Sequence, residues 1–519
     1  MLINFRAYIK NKFKNDFLAS MVVFLVAIPL CLGIAIASGA PPAAGLISGL
    51  IGGIIVGTLG GCSLQVSGPA AGLVAIYAEV VLEHGVGKIG LIILLAGVLQ
   101  VVVGLSKIAQ WFRAVSPAVI QGMLSGIGLL IFSSQFHVMV DDLPKTNGLL
   151  NLISIPKAIY KGVVPMDGLV HHLAALIGVI TIIVIVLWTF FPQNIKLIPS
   201  PIVGVLLAII ISRVFQFPIK YVDIPSNLFE AVRFPDLESF SFLLNYKVWI
   251  AVVSIAFIAS AETLLTATGI DKMHNGERTN YNREIIAQGI GNSLAGFLGA
   301  LPITGVIVRS ATNVQAGAKT RMSAVLHGVW LLIFVLLFPN ILRLIPIASL
   351  AAILVYTGYK LMNFKVAKEL LKYGKFEVVI YAVTIVAIVS TNLLEGIVIG
   401  FISSLLKLLY TFSHLEIKIN KESSNNEIDN TYVHISGSVN FLNLPKFAEA
   451  LEKIPLGLNV FICFDELNYI DHACLEILMN WEKQYQSSGG IVSIKWGELE
   501  TRFLKNSKNN EQVFAKMKK

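Results

Sequence analysis

Apolar runs of about 20 residues, bounded by charged residues or Pro, recur along most of this chain, and each is long enough to cross a bilayer as a helix. They begin near Phe17, Pro42, Pro69, Gly90, Pro117, Leu169, Pro201, Trp249, Arg283, Gly305, Met322, Pro346, Phe376 and Leu393. That makes about fourteen segments, accepting shorter pieces where Gly or Pro interrupts them. The expected fold is therefore an α-helical multi-pass membrane protein. Of 519 residues, 55% are hydrophobic and 14% charged, and the mean hydropathy is +0.75. Those values exclude a disordered chain, a collagen-like fibre and a disulfide scaffold. Cys31 and Cys62 fall in apolar runs and Cys463 and Cys474 near the end, which gives no pairing framework and fits a reducing compartment. The net charge of +9 sits mostly beside the apolar runs, a membrane pattern rather than a nucleic-acid one.

An even number of crossings puts both termini on one side. The basic start with Lys10, Lys12 and Lys14 makes that side cytoplasmic. The connections threaded to it, with Arg113, Lys272, Arg278, Lys319, Arg321, Lys365, Lys368 and Lys372, carry about twice the Lys and Arg of the opposite side. No cleavable signal is evident, because the first run, from about Phe17 to Ser38, continues into further spans. The expected organisation is a cytoplasmic segment over 1–15, a membrane domain over 16–413, a polar Asn- and Ser-rich linker over 414–430 and a small cytoplasmic α/β domain over 431–519. In that last domain, strand patterns (Tyr432 to Ile435, Leu458 to Phe464, Gly490 to Trp496) alternate with helical ones (Leu444 to Leu451, Cys474 to Gln486).

The membrane halves echo each other at a separation of about 230 residues. The Pro-started run from Val115 resembles in character the one from Leu344, the span with Pro29 corresponds to that with Glu262, and Ser67, Gly68 and Pro69 correspond to Pro302, Thr304 and Gly305. Seven plus seven segments of odd number insert upside down relative to each other, the inverted-repeat plan of secondary transporters. The third and tenth segments begin with helix-breaking clusters, C-S-L-Q-V-S-G-P-A-A-G and G-A-L-P-I-T-G-V-I-V-R-S-A-T-N. An extended strand leading into a half-helix in each would bring two helix N-termini, with unsatisfied N–H groups and positive dipole ends, to the midplane as an anion site. Gly and Pro that merely kink packed helices are the alternative.

Arg309 lies one turn past Gly305, where a guanidinium facing lipid would cost several kcal/mol, so it is expected to face a cavity and supply fixed positive charge. The alternative is structural pairing with a carboxylate such as Glu262. Glu262 and Thr266 stack on one helical face, a carboxylate and a hydroxyl that suit a sodium ion or, with the acid desolvated, a proton. Glu79 is read as reaching the interface, His171 and His172 as interfacial, and His327 as a hydrogen-bonded core residue. No Cys/His metal spacing, Walker loop, hydrolase elbow or Ser/His/Asp set supports ATP-driven pumping or covalent catalysis, so the chain is not expected to be an enzyme.

The stretches V-A-I-P-L-C-L-G-I-A-I-A-S-G, V-S-G-P-A-A-G, E-R-T-N-Y-N-R-E-I-I-A-Q-G-I-G-N-S-L-A-G and A-L-P-I-T-G-V-I-V-R-S-A-T-N-V-Q-A-G-A-K-T resemble the sulfate permease (SulP) family of anion transporters over nearly the whole chain. The tail resembles the STAS domain that follows the membrane part in that family. The resemblance implies fourteen segments in a seven-plus-seven inverted repeat, divided into core and gate domains, a homodimer and an elevator-like mechanism. By position, Ser67, Gly68, Pro69, Ala70, Val306, Ile307, Val308 and Arg309 take the anion-binding assignment, and Glu262, Thr266 and Gly305 the cation-coupling one, with sodium as the coupling ion in bicarbonate-carrying members. In Y-I-D-H-A-C-L-E, His472 stands where a phosphorylatable Ser often follows the Asp, and Asp471 reads as the N-cap of the next helix.

The expected function is secondary active transport of a small inorganic oxyanion of the sulfate or bicarbonate class, coupled to sodium, to protons or to anion exchange, across a bacterial inner membrane. No cofactor beyond a coupling sodium ion and no nucleic acid is expected. Uncoupled chloride conduction, a membrane sensor or anchor for STAS-mediated contacts, and a nucleobase permease are the competing readings; two donor termini beside Arg309 suit a compact anion better than a planar neutral ring.

Overall fold

The computed structural model describes residues 12–109, 116–145, 147–164, 170–192, 198–225, 228–235, 245–363, 365–422, 430–464 and 467–494. Lys10 and the rest of residues 1–11, Arg113, Val115, positions 423–429 and the tail beyond 494 lie outside them. The chain divides between Phe401 and Ile402, within its last apolar helix, into two compact units.

The first unit is helical, and each apolar run read from the sequence has its element. In order these are α1 (Phe13–Ala37), α2 (Pro42–Leu59), strand β1 (Ser67–Pro69) with helix α3 (Val74–His84), α4 (Val86–Leu105) and α5 (Pro117–Met139). An additional helix α6 (Gly148–Val163) precedes α7 (His171–Trp188), α8 (Ser200–Val214), α9 (Tyr246–Met273) and α10 (Tyr281–Phe297). Strand β2 (Ile303–Gly305) with α11 (Ile307–Gln315) follows, then α12 (Met322–Leu337), α13 (Ile347–Leu361), α14 (Lys375–Ser390) and α15 (Leu393–Phe412). Eight of the described helices are long and apolar enough to cross a membrane. The fold is that of a multi-pass membrane protein.

Helices in lipid associate by close approach, which small residues permit. A methyl group on Gly97 would meet the Gly289 carbonyl and one on Gly289 the Gly97 carbonyl, so α4 and α10 touch backbone to backbone, and Gly90 and Gly296 repeat the arrangement two turns away. The two Pro-started runs that echo each other, α5 and α13, meet likewise at Gly128 and Gly358. In α2 the helix widens to a π-turn over Gly52–Val56. A side chain at Gly52 would collide with the Ser67 carbonyl, and one at Gly53 with Gly328, so the widened turn is where β1 and α12 press closest.

Helix α6 has no counterpart in the sequence reading, because Asn151, Pro156, Lys157 and Lys161 break the apolar pattern of a span. A buried polar cluster fastens it. His137 Nδ1, at the end of α5, lies 3.0 Å from Asp142 Oδ2, and Lys161 of α6 donates 2.8 Å to Oδ1. Nε2 of His137 faces the Asn151 carbonyl at 3.1 Å and the Ser154 hydroxyl at 3.0 Å. Burial pushes the Asp142 carboxyl up, but Lys161 and His137 outweigh it and hold the group at about 2. A lowered carboxyl contributes stability that is present above its unfolded value and lost only as pH falls toward the folded one. The Asp142 contribution to the opening free energy of 148–163, read from amide exchange after correction for the intrinsic pH dependence of exchange, is therefore expected to be unchanged between pH 7 and about pH 5. Asp142→Asn should speed that exchange by about 1 kcal/mol of opening free energy, a modest figure because solvent screens this pair. His171, read as interfacial, is buried, with Nδ1 3.0 Å from the Val140 carbonyl.

The second unit is a small α/β domain. Its sheet has the order β3 (Leu415–Glu422), β4 (Asn430–Val439), β5 (Asn459–Cys463), β7 (Ile491–Ile494), with β6 (Leu467–Ile470) also pairing β4. Only β3–β4 is antiparallel. Helices α16 (Leu444–Glu452) and α17 (His472–Ser487) complete it. Strand β3 corrects the reading of 414–430 as a linker. The sequence L-E-I-K-I-N-K-E alternates with period two, burying Leu415 and packing Ile417 on the core. Polar outward residues made an edge strand look like loop. Asp471 caps α17, its side chain accepting from Cys474 N at 2.8 Å.

Candidate functional site

Two interrupted segments meet in the middle of the first unit. Strand β1 pairs antiparallel with β2 in the register Ser67 with Gly305, Gly68 with Thr304 and Pro69 with Ile303, and all six residues are buried. Val306 N donates to the Val66 carbonyl at 3.0 Å, extending the ribbon by one step. Because the strands are antiparallel, the helices leave from opposite ends of a ribbon about 10 Å long. Ala70 and Val306 are extended, and the chain turns helical immediately after each. Neither start has a side-chain cap, whereas Ser116, Asn245 and Asn280 cap α5, α9 and α10. The Gly72 N–H in the first turn after β1 meets the Glu262 carboxylate, the first turn of α11 has no side-chain cap, and both starts direct the positive end of a helix dipole at the ribbon.

Extended backbone at this depth survives only if its polar groups are satisfied inside the protein. A stripe on α10 spaced by four residues does this. Glu284 Oε2 accepts from Gly61 N at 2.7 Å and Cys62 N at 2.9 Å, and its Oε1 accepts from the Gln65 side chain at 2.7 Å and Gln288 at 3.1 Å. Asn292 accepts from Ile303 N at 2.6 Å and donates to Ile303 O at 2.9 Å, standing in for a third strand along β2. On the other edge Val66 N donates to Ser310 Oγ at 2.9 Å. None of these residues was singled out from the sequence as a site residue. The legible signal was Glu, Gln and Asn at i, i+4 and i+8 in an otherwise apolar segment, which places them on one helical face.

Arg309 is completely buried, and its guanidinium lies behind β1, close enough that a methyl group on Gly68 would overlap Nη1. Among the described residues its side-chain hydrogen bond runs from Nη2 to Cys31 Sγ at 3.4 Å, and Nε and Nη1 have no partner. The sequence reading expected this arginine to face a cavity. Instead, the face of α11 that lines the cavity carries Val308, Thr312 and Gln315, because the nine-residue helix turns Arg309 and Asn313 inward to the other side. Pairing with Glu262 is not made either, since Glu262 Oε2 is enclosed without a partner.

Glu262 lies against the turn Ala71–Leu73, where a side chain at Gly72 would press on its carboxylate, and Thr304 stands beside it. Thr266 donates to Gly305 O at 2.9 Å, while Thr263, which sequence reasoning missed, accepts from Gly305 N at 3.0 Å. The structure so brings Thr263 and Thr266 to Gly305, Glu262 to Gly72 and Thr304, and Arg309 to Gly68 of β1 and Cys31 of α1.

Two cavities lie along α1 and α13. One, of about 1040 Å³, is lined by Leu18, Val22 and Val26 of α1, Val308 and Thr312 of α11, and Tyr356 and Lys360 of α13. The other, of about 540 Å³, is lined by Ile36 and Ala37 of α1, Ala78 and Val81 of α3, and Ile347 of α13. They share no lining residue and lie at opposite ends of α1 and α13.

Paired half-helices, a satisfied ribbon and separate openings define a membrane protein of the transporter class. Residues 13–384 match the sulfate permease family, to which this chain belongs. A Bacillus subtilis protein named for sulfate transport, YvdB, is 29% identical over 77% of this chain and 74% of its own length. The bicarbonate transporter BicA of a Picosynechococcus species is 24% identical over 71% of this chain and 65% of its own. Among solved structures, the transmembrane domain of a cyanobacterial BicA superposes with a TM-score of 0.62 at 22% identity, covering 75% of this chain and all but 3% of that one (97%). A murine solute carrier 26 member A9 anion transporter in the inward-facing state gives 0.71 at 16% identity over 93% of this chain and 86% of its own. These likenesses show the fold.

Proposed function

We propose that this chain is a secondary active transporter of a small inorganic oxyanion of the sulfate or bicarbonate class, binding it between the first turns of α3 and α11. The observation that carries this reading is the pair of half-helices leaving the two ends of one buried ribbon, with the unpaired charge of Arg309 directly behind it. Ser67, Gly68, Pro69 and Ala70 on one arm, and Val306, Ile307, Val308 and Arg309 on the other, form the anion site. Glu262, Thr266 and Gly305 offer oxygens to a coupling sodium ion or a carboxylate to a proton. Two cavities without a common residue support alternating access over an open conduction path, with the half bearing α3 and α11 moving elevator-like against the rest. The larger cavity opens at the N-terminal end of α1, which the distribution of Lys and Arg makes the cytoplasmic end of an inner-membrane protein. A homodimer belongs to the same proposal.

Purified protein in vesicles is expected to take up labelled bicarbonate or sulfate against its gradient when a sodium or pH gradient is imposed. Flux of neither anion under any gradient overturns the reading, and currents persisting without a cation gradient would replace coupled transport by conduction.

A further inference from the structure

The anion site has one polar arrangement whose direction is set from a distance. Glu284 is 1% exposed and its carboxylate accepts four hydrogen bonds, two on each oxygen. Two backbone N–H groups, which cannot reverse, and the Gln65 amide already donate to it, so its oxygens serve as acceptors and the next amide turns its NH₂ toward it. Gln288, fully buried one turn along α10, is held in that orientation, with Nε2 3.1 Å from Glu284 Oε1. The same Nε2 donates its second hydrogen to Ser67 Oγ at 2.6 Å, a short bond to a residue of β1 that is itself 3% exposed. The opposite orientation would set the amide oxygen against a carboxylate. Ser67 Oγ is thus fixed as an acceptor on its α10 side, and its own proton is left for a partner at the ribbon.

We propose that Glu284 and Gln288 are positioning residues that lock the Ser67 hydroxyl as a hydrogen-bond donor to the transported oxyanion. This rests on the anion site proposed above and adds to it a sense of direction. A serine hydroxyl left to itself donates or accepts as its surroundings demand. One whose lone pair is already taken by an amide donor offers only its proton, and that selects for an acceptor-rich solute. Every atom in the relay is inside the protein, so water has no part in choosing its polarity. Neither Glu284 nor Gln288 touches the anion.

The test is a double-mutant cycle on anion KM and kcat with wild-type, Ser67→Ala, Gln288→Glu and the double variant in vesicles, fed bicarbonate or sulfate. A hydrogen bond to a charged group is worth about tenfold to a hundredfold in affinity. Ser67→Ala is expected to raise KM by roughly tenfold or more with kcat within about twofold. Gln288→Glu reverses the relay, since its carboxylate accepts the Ser67 proton, and should raise KM similarly. The double variant should be no worse than either single change, because both remove the same donor. Ser67→Thr, which keeps the hydroxyl, should restore KM. As Gln288→Glu adds a charge beside Glu284 and could fail to insert, Gln288→Met provides the uncharged variant, removing the lock with an expected KM rise of severalfold and no change in kcat. Additive losses in the cycle, or a Ser67→Ala protein with wild-type KM, would overturn the relay while leaving anion transport intact. Absence of uptake by the wild-type protein would instead remove the functional reading on which it rests.

Discussion

Arg309→Ala is expected to raise the anion KM by roughly 30- to 160-fold, corresponding to about 2–3 kcal/mol for a unit charge acting across one strand, about 5–7 Å, at an effective dielectric near 20. The charge of Arg309 is unmet. A guanidinium has five N–H donors, and here the described side-chain partner is a thiol sulfur at 3.4 Å, a weak acceptor, with Nε and Nη1 unpartnered. Burying a cation in this way is costly unless an opposite charge arrives. A structural arginine would have found Glu262, and this one does not. Its place behind β1 also means that it acts through its field and not by lining the cavity. Lysine at this position should recover part of the affinity, since the charge matters more than the fork. Gly68→Ala supplies an independent variant: the added methyl displaces the guanidinium, and KM should rise severalfold while the arginine is still present. Initial uptake rates at matched reconstitution, with thermal melts as a fold control, read all three. An Arg309→Ala protein that melts normally and keeps its KM would remove Arg309 from the site.

The boundaries of the site were legible because its physics is local. Ser-Gly-Pro and Pro-Ile-Thr-Gly break helices wherever they occur, so two interrupted segments could be read from the chain and were found paired residue by residue. Placement around them was harder to read. Whether Arg309 faces the cavity or the interior depends on the rotation of a nine-residue helix, and a shift of one position exchanges Arg309 for Val308. Glu284, Gln288 and Asn292 were written in the chain at helical spacing, but their meaning depends on which backbone comes to lie across from them, a long-range fact. Helix α6 was missed for a related reason: its polar residues serve a buried cluster at the end of α5, and a count of apolar residues sees only an interrupted run. Strand β3 shows the converse, alternation hidden by a polar average.

Glu262→Gln is expected to abolish the stimulation of anion uptake by an imposed cation gradient while leaving anion binding within about threefold of wild type. The separate contacts of Arg309 and Glu262 explain why binding and coupling should separate. Arg309 stands against Gly68 and Cys31, whereas Glu262 presents an enclosed oxygen without a partner, and Thr263 and Thr266 hold the amide and carbonyl of Gly305 in fixed orientation. Thr266 spends its proton on Gly305 O and keeps its lone pairs, so with Glu262 one turn before it on α9 the segment offers carboxylate, hydroxyl and carbonyl oxygens, the donor types a hard cation takes. A cation held there would share β2 with the anion: Gly305 is the last residue of the strand, and the next residues begin α11. Each ion then screens charge that the other would feel, which is the differential affinity that coupling needs. Glutamine preserves volume and hydrogen bonding but contributes no charge, so the anion keeps Arg309 and both helix starts while the cation loses its countercharge. Uptake driven separately by sodium and by pH gradients identifies the coupling ion, since only one should stimulate the wild-type protein. A Glu262→Gln protein driven as strongly as wild type by that same gradient would exclude Glu262 from the coupling step. A variant that neither folds nor binds anion would place this carboxylate in the framework of the ribbon instead. Thr266→Val, which deletes the hydroxyl without touching the charge, then separates these outcomes: weakened dependence on cation concentration with an unchanged melt is expected if the oxygens act as ligands.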